Sequence, residues 1–113
     1  MRSAAALLLV GCGAIENPKD YADARARAEC ARIQSCELGR FESDFSSEED
    51  CLDDRADVIE DNNDDLDDAD CRFVPEEAGA CVSRIRGLSC ESWFEGESSL
   101  ACDLVWTCSE GDR

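Results

Sequence analysis

Eight cysteines spread between Cys30 and Cys108 constrain this chain more than any other feature. A domain of about 90 residues buries only a thin hydrophobic core. Four disulfides would restrict its unfolded state, each contributing roughly 2–4 kcal/mol. Cys30, Cys36, Cys51, Cys71, Cys81, Cys90, Cys102 and Cys108 are therefore all expected in bridges, which require an oxidising compartment. A ninth cysteine, Cys12, stands apart, and the parity of the set assigns it a different use.

The segments between the cysteines carry helical signals. Asn17 suits an N-cap and Pro18 the first helical position, with Asp20 three residues after the cap and Gly39 just past the end. The expected helix runs from Pro18 to Leu38, with Tyr21, Ala24, Ala28, Ala31 and Leu38 as its apolar stripe, Ile33 near the same side, and Arg25, Arg27 and Arg32 largely elsewhere. Arg40–Asp44 reads as a loop. Ser46 and Glu49 have capping-box spacing and introduce a second helix from about Ser47 to Asp61. Its inward side would be Cys51, Leu52, Arg55, Ala56, Val58 and Ile59, with Asp53, Asp54, Asp57 and Glu60 in water. Asn62–Asp70 reads as an acidic loop.

Pro75 opens a third helix that should stop before Gly87. Glu76 and Glu77 suit the positive end of its dipole, and Arg84 and Arg86 the negative end. Ala78, Cys81, Val82 and Ile85 repeat with the helical period, and Leu88 continues that face. A short helical turn over Glu91–Phe94 and a last helix from Ser99 to Thr107, with Leu100, Leu104 and Val105 inward, complete the chain. No period-two segment of useful length occurs. The expected fold is all-α, a small disulfide-stapled bundle of three to four helices over residues 18–108, with a tail at 109–113.

Helical geometry prunes the pairings. Residues six apart on a helix rise about 9 Å, beyond the ~7 Å limit on Cα separation in a disulfide. Cys30 is thereby kept from Cys36, and Cys102 more weakly from Cys108. A Cys36–Cys51 bridge, closing the connection between the first two helices, is the one pair expected; the others stay open.

The chain contains no histidine. Cys/His zinc sites, Ser-His-Asp and Cys-His nucleophile systems and haem with an axial His are thus excluded. Phosphate-binding glycine loops, G-x-S-x-G and Cys-x-x-Cys are missing from the sequence too. These gaps argue against an enzyme. The formal charge is −17, which disfavours nucleic acid and anionic lipid as partners. The excess is local, because residues 42–70 hold fifteen acidic side chains and one basic one, Arg55.

Within that block Asp61, Asn63 and Asp65 occupy the first, third and fifth positions of an EF-hand-like loop. Leu66 stands where the turn needs Gly, and Arg72 where a bidentate Glu should close the shell. The stretch reads first as solvated acidic surface and only weakly as a Ca²⁺ or Mg²⁺ site; no other cofactor is expected. Trp93, Phe94 and Trp106 read as core filling ahead of an exposed binding patch.

The N-terminus reads as a targeting segment: Arg2, the apolar run Ala4–Val10, then Leu9-Val10-Gly11-Cys12. The last four residues resemble the bacterial lipobox, which implies cleavage of residues 1–11 and acylation of Cys12. Loss of Arg2 would take the charge from −17 to −18. No run approaches the ~20 apolar residues of a membrane-spanning helix, so attachment would come from the lipid. Residues 12–17 form a tether reaching under ~20 Å. Together the lipobox, the eight later cysteines and the helical pattern resemble small cysteine-rich lipoproteins of unknown function that Gram-negative bacteria encode in many divergent copies. The resemblance covers most of the chain, rests on cysteine count and helical texture, and implies an exported, lipid-anchored helical domain with no activity attached. Gly13, in place of the Asp that retains some lipoproteins at the inner membrane, points to the outer membrane of the cell envelope. The function expected is a non-catalytic interaction module presenting the acidic face of residues 42–70 to a basic protein partner. The alternative is a secreted or surface inhibitor or toxin-like effector on a disulfide-stabilised scaffold.

Overall fold

The computed structural model describes residues 15–108. Cys12, the residues 1–11 read as a leader, the start of the expected tether and the tail lie outside them. Helix α1 spans Pro18–Cys36, α2 Leu38–Asp44, α3 Glu48–Asp68, α4 Pro75–Gly87, α5 Cys90–Phe94 and α6 Glu97–Ala101. Two-residue strands β1 (Arg72–Phe73) and β2 (Trp106–Thr107) pair antiparallel, Arg72 opposite Thr107 and Phe73 opposite Trp106. The fold is a small all-α assembly stapled by four disulfides, as the cysteine pattern requires.

Helix α1 is the centre, packed on one side by α3 and on the other by α4. It starts as expected: the Asp20 backbone N–H donates to Asn17 Oδ1 at 2.9 Å, and Pro18, which has no N–H to satisfy, occupies the first turn. Its buried side differs from the expected stripe. Tyr21, Ala22, Ala26, Ala28, Glu29, Cys30 and Ile33 are buried, whereas Ala31 and Leu38 are exposed. The stripe is rotated because Arg25, Glu29 and Arg32 lie on the packed face, where a reading by polarity alone places no charge. Small side chains at Ala22 and Ala26 let the neighbouring helices approach closely.

The helix stops at Cys36 without a left-handed glycine. Glu37 takes φ −134° and donates its N–H to Ile33 O, and Gly39 sits inside α2, which replaces the loop expected over Arg40–Asp44. The next cap is shifted by one residue from the expected box. Ser47 Oγ accepts the Asp50 N–H at 3.1 Å, and Asp50 Oδ2 returns to the N–H of Ser46, one residue before the cap, at 3.0 Å, a variant of the capping box in which the return bond falls on the residue preceding the N-cap.

Helix α3 continues seven residues beyond the expected Asp61 end, through the stretch read as a loop. It closes with a Schellman motif: Cys71 N–H donates to Leu66 O and Asp70 N–H to Asp67 O, both at 3.0 Å. Asp70 takes the left-handed conformation, φ 65°, normally given to Gly. Helix α4 follows its pattern closely, burying Ala78, Cys81, Val82 and Ile85. The last expected helix does not run to Thr107. Helix α6 ends at Ala101, and Val105 is buried just ahead of strand β2.

The disulfides are Cys30–Cys51, Cys36–Cys90, Cys71–Cys108 and Cys81–Cys102. The expected Cys36–Cys51 bridge is absent. Antiparallel packing of α1 on α3 brings Cys51, in the first turn of α3, opposite Cys30 with Cα atoms 6.1 Å apart. Cys36, at the end of α1, meets α5 instead. Neither Cys30/Cys36 nor Cys102/Cys108 is bridged; helical rise separates the first pair, whereas the second does not share a helix, since Cys102 caps α6 and Cys108 follows β2.

The core has two parts. The larger joins Tyr21, Ala22, Ala26, Ala28, Ile59, Ala78, Cys81, Val82, Ile85 and Val105, with Phe73 and Trp106 packed against it. The smaller joins Cys30, Ile33 and Cys51 under Phe41, Phe45 and Leu52. Trp93 touches both.

Candidate functional site

Helix α3 carries twelve of the chain's 28 acidic side chains. Glu48, Glu49, Asp50, Asp53, Asp54, Asp57, Glu60, Asp61, Asp64, Asp65, Asp67 and Asp68 lie along one unbroken helix, and all but the half-buried Glu60 are exposed. At 1.5 Å per residue the ladder is about 30 Å long. Many of these carboxylates stand three or four residues apart, where like charges oppose helix formation. Asp65, Asp67 and Asp68 crowd the last turn, with Asp64 just before it, at the negative end of the dipole, where no basic residue offsets them.

The one cation within α3, Arg55, turns chiefly towards Glu29 of α1, with its Nη1 also 3.8 Å from Asp54, and Lys19 of α1 reaches the ladder's Glu60 at 3.3 Å. Arg55 Nε donates to Glu29 Oε1 at 3.0 Å, and Arg25 Nε donates to Glu29 Oε2 at 2.7 Å. Glu29 is buried between the two guanidinium groups. Arg25 also donates through Nη1 to Tyr21 Oη at 2.7 Å. Tyr21 Oη lies 3.6 Å from Cys81 Sγ, and since that sulfur is bridged to Cys102 and bears no hydrogen, the phenol is the donor. A single relay thus links α3, α1 and α4. Burial raises the Tyr21 pKa above its ordinary value, against the opposing pull of Arg25. Burial also disfavours the Arg25 cation, but Glu29 and Tyr21 outweigh it and hold the guanidinium more firmly charged than a free one. The relay lies between packed helices, with only its two arginines partly reached by solvent, and its role is structural.

Asp61, Asn63 and Asp65 do not form a loop. On a helix Asn63 is turned roughly 200° from Asp61 and roughly 160° from Asp65, so the three cannot converge on one ion. Asn63 is buried, where its Nδ2 donates to Pro18 O at 3.1 Å and its Oδ1 accepts from Trp106 Nε1 at 3.2 Å. It clamps α3 to the start of α1 and to β2. Among the described residues no group of three acidic, Cys or His side chains is arranged to hold a metal. The sequence signal that could have revealed Asn63 was its place in the inward series after Cys51, Leu52, Arg55 and Ile59.

A shallow groove of about 290 Å³ runs between α1 and α3, with Ala26, Leu52 and Ala56 as its floor and Asp23, Arg27, Glu49 and Asp53 as its rim. The aromatic trio divides. Trp93 and Trp106 pack against the core as expected, with Trp93 Nε1 donating to Glu37, whereas Phe94 is 63% exposed. No described helix is long and apolar enough to cross a membrane. No family model, curated protein or solved structure matches this chain.

Proposed function

We propose that this chain is a non-catalytic, lipid-anchored protein of a bacterial cell envelope, held through Cys12 at the outer membrane, whose helix α3 presents an acidic face to a basic protein partner. The observation that carries the reading is the carboxylate ladder itself. Side chains that repel one another along the helix and crowd its negative end weaken α3, and the cations near them offset little of this: Arg55 is directed chiefly to Glu29, with Asp54 at 3.8 Å, and Lys19 reaches Glu60 alone. A surface that disfavours its own helix is explained by a use outside the fold, and complementary charge speeds and selects a basic partner. Four disulfides support an oxidising location, and the lipobox-like Leu9-Val10-Gly11-Cys12 supports the anchor.

The anchor is tested by palmitate labelling of the full chain in a Gram-negative host: label is expected on the wild type and lost in Cys12→Ala. An unmodified protein recovered from the medium would overturn the anchor and favour a secreted, disulfide-stabilised inhibitor or toxin-like effector. The face is tested by capture from envelope extract, comparing wild type with a variant carrying Asn or Gln at the exposed acidic positions of α3. Identical captured proteins would sink the acidic-face reading.

A further inference from the structure

The segment from Ser89 to Asp103 is held unlike the rest of the domain. It contains no buried residue, and its two helices are five residues each, far below the ~12–15 at which a helix holds itself in water. Gly96, in the left-handed region at φ 82°, reverses the chain between them. Crosslinks fasten the segment near both ends. Cys90 is tied to Cys36 at the end of α1, and Cys102 to Cys81 on α4. Between the crosslinks Trp93 is the main inward contact, lying over both core clusters with its indole N–H on Glu37. At the upstream edge Arg32 Nη1 donates to Leu88 O at 2.8 Å, and its Nε is buried with no hydrogen-bond partner.

The two crosslinks differ in access. Cys81 is fully buried, and Cys30 and Cys51 of a third bridge are 1% and 0% exposed, whereas Cys90 is exposed to solvent. We propose that residues 89–101 form a redox-released strap: reduction of Cys36–Cys90 lets α5 and α6 swing about Cys102, lifts Trp93 from both core clusters, and uncovers the smaller one around Ile33 while α1, α3 and α4 stay folded.

The reductant is a dithiol. One thiolate attacks the accessible Cys90 Sγ, the S–S bond breaks, and Cys36 leaves as a thiolate that takes a proton from water. The second thiol then attacks the mixed disulfide and releases Cys90. The dithiol ends as a disulfide, and the protein bridge has gained two electrons and two protons.

The opened state is set by how the strap is anchored. Its own helices are too short to hold themselves in water, and local opening needs the loss of the Trp93 packing, the Glu37 and Arg32 contacts and the packing of α6 on α4. The core helices keep Cys30–Cys51 and the Arg25–Glu29–Arg55 relay, neither of which involves the strap.

The oxidised full domain is treated with graded dithiothreitol, thiols are trapped by alkylation and mapped by peptide mass, and amide exchange is followed by mass spectrometry. Cys36 and Cys90 should label before Cys30, Cys51, Cys81 and Cys102, and exchange over residues 89–101 should then speed up by roughly tenfold or more with α1, α3 and α4 unchanged. The double variant Cys36→Ser, Cys90→Ser should show the same local opening without reductant, and Cys71→Ser, Cys108→Ser, which breaks the other solvent-facing bridge, should leave the strap closed. Labelling of the buried bridges first, undiminished protection of residues 89–101 after Cys36–Cys90 is reduced, or loss of protection in α1 and α3 together with the strap would each overturn the proposal.

Discussion

Asp70 shows how a single residue sets the end of an element. It holds the left-handed conformation that closes α3, costing an L-residue with a β-carbon roughly 1–2 kcal/mol, and adds a negative charge beside the negative end of the helix dipole. Asp70→Gly relieves both and should raise the urea midpoint by an amount equivalent to about 1 kcal/mol; an unchanged or lower midpoint would refute this account of the terminus. At Glu29 the consequence has the opposite sign. Its carboxylate is 6% exposed between Arg25 and Arg55, which are 19% and 23% exposed, so Glu29→Gln leaves two partly buried cations uncompensated. Loss of one partner from a buried ion pair costs about 3–5 kcal/mol, and solvent reaching the two arginines should bring the measured loss to the lower end. Tyr21 supplies the pH dependence. Burial raises its pKa above 10.0, so the folded protein holds the phenol proton more tightly than the unfolded chain. The stabilisation is complete below pH 10 and is lost as pH rises through the higher folded value. As the chain has one tyrosine, phenolate absorbance reports it alone: the midpoint should exceed that of the denatured protein, and Tyr21→Phe should remove this part of the alkaline decline.

At the scale of elements, α3 persists through an acidic stretch because tertiary contacts override local preference. Asn63 is the pin, joining Pro18 O and Trp106 Nε1. Asn63→Ala should destabilise the domain by about 1–3 kcal/mol, the cost of leaving buried polar partners unpaired, and amide exchange should rise first over Asp61–Asp68. Uniform exchange along α3 would show that the pin is not local. The same helix shows what the residues alone reveal. Its start was legible, since a Ser before a run of acids is a cap signal, although the box fell on Ser47 and Asp50 instead of Ser46 and Glu49. Its end was not, because Asp-rich sequence resembles a loop and the terminator is Asp70, not Gly. Helix α4 was legible except at its end, which includes Gly87 instead of stopping before it, because its apolar spacing and its dipole charges agree. In α1 the cap was legible but the packed face was not, because the second partner of Glu29, Arg55, and the partner of Arg32, Leu88 O, come from other parts of the chain. Cysteine partners were equally hidden, since they depend on which helices lie antiparallel. The acidic ladder of the candidate site was visible as a charge run, but its unbroken helical form and the inward turn of Arg55 required the neighbours.

For the whole molecule two opposing effects remain, crosslinking and charge. Bridges closing spans of 21, 54, 37 and 21 residues each remove about 3–4 kcal/mol of unfolded-state entropy in the loop-closure picture, a combined effect of the same order as the whole stability of a small domain, about 5–15 kcal/mol. The net charge of −17 acts against compactness, and it is screened over about 10 Å at 0.1 M salt but about 30 Å at 0.01 M. Since the α3 carboxylates are exposed and close together, most of their mutual repulsion is open to screening. The oxidised protein should therefore melt at a higher temperature as sodium chloride rises from about 0.01 to 0.5 M. Conversion of Asp64, Asp65, Asp67 and Asp68 to Asn should raise the melting temperature in low salt and flatten this dependence, because it removes the charges that also oppose the helix dipole. Full reduction at low salt should unfold the chain, with loss of far-ultraviolet helicity. A fully reduced protein that keeps its helices in low salt would mean that packing of α1 against α3 and α4 suffices without the bridges.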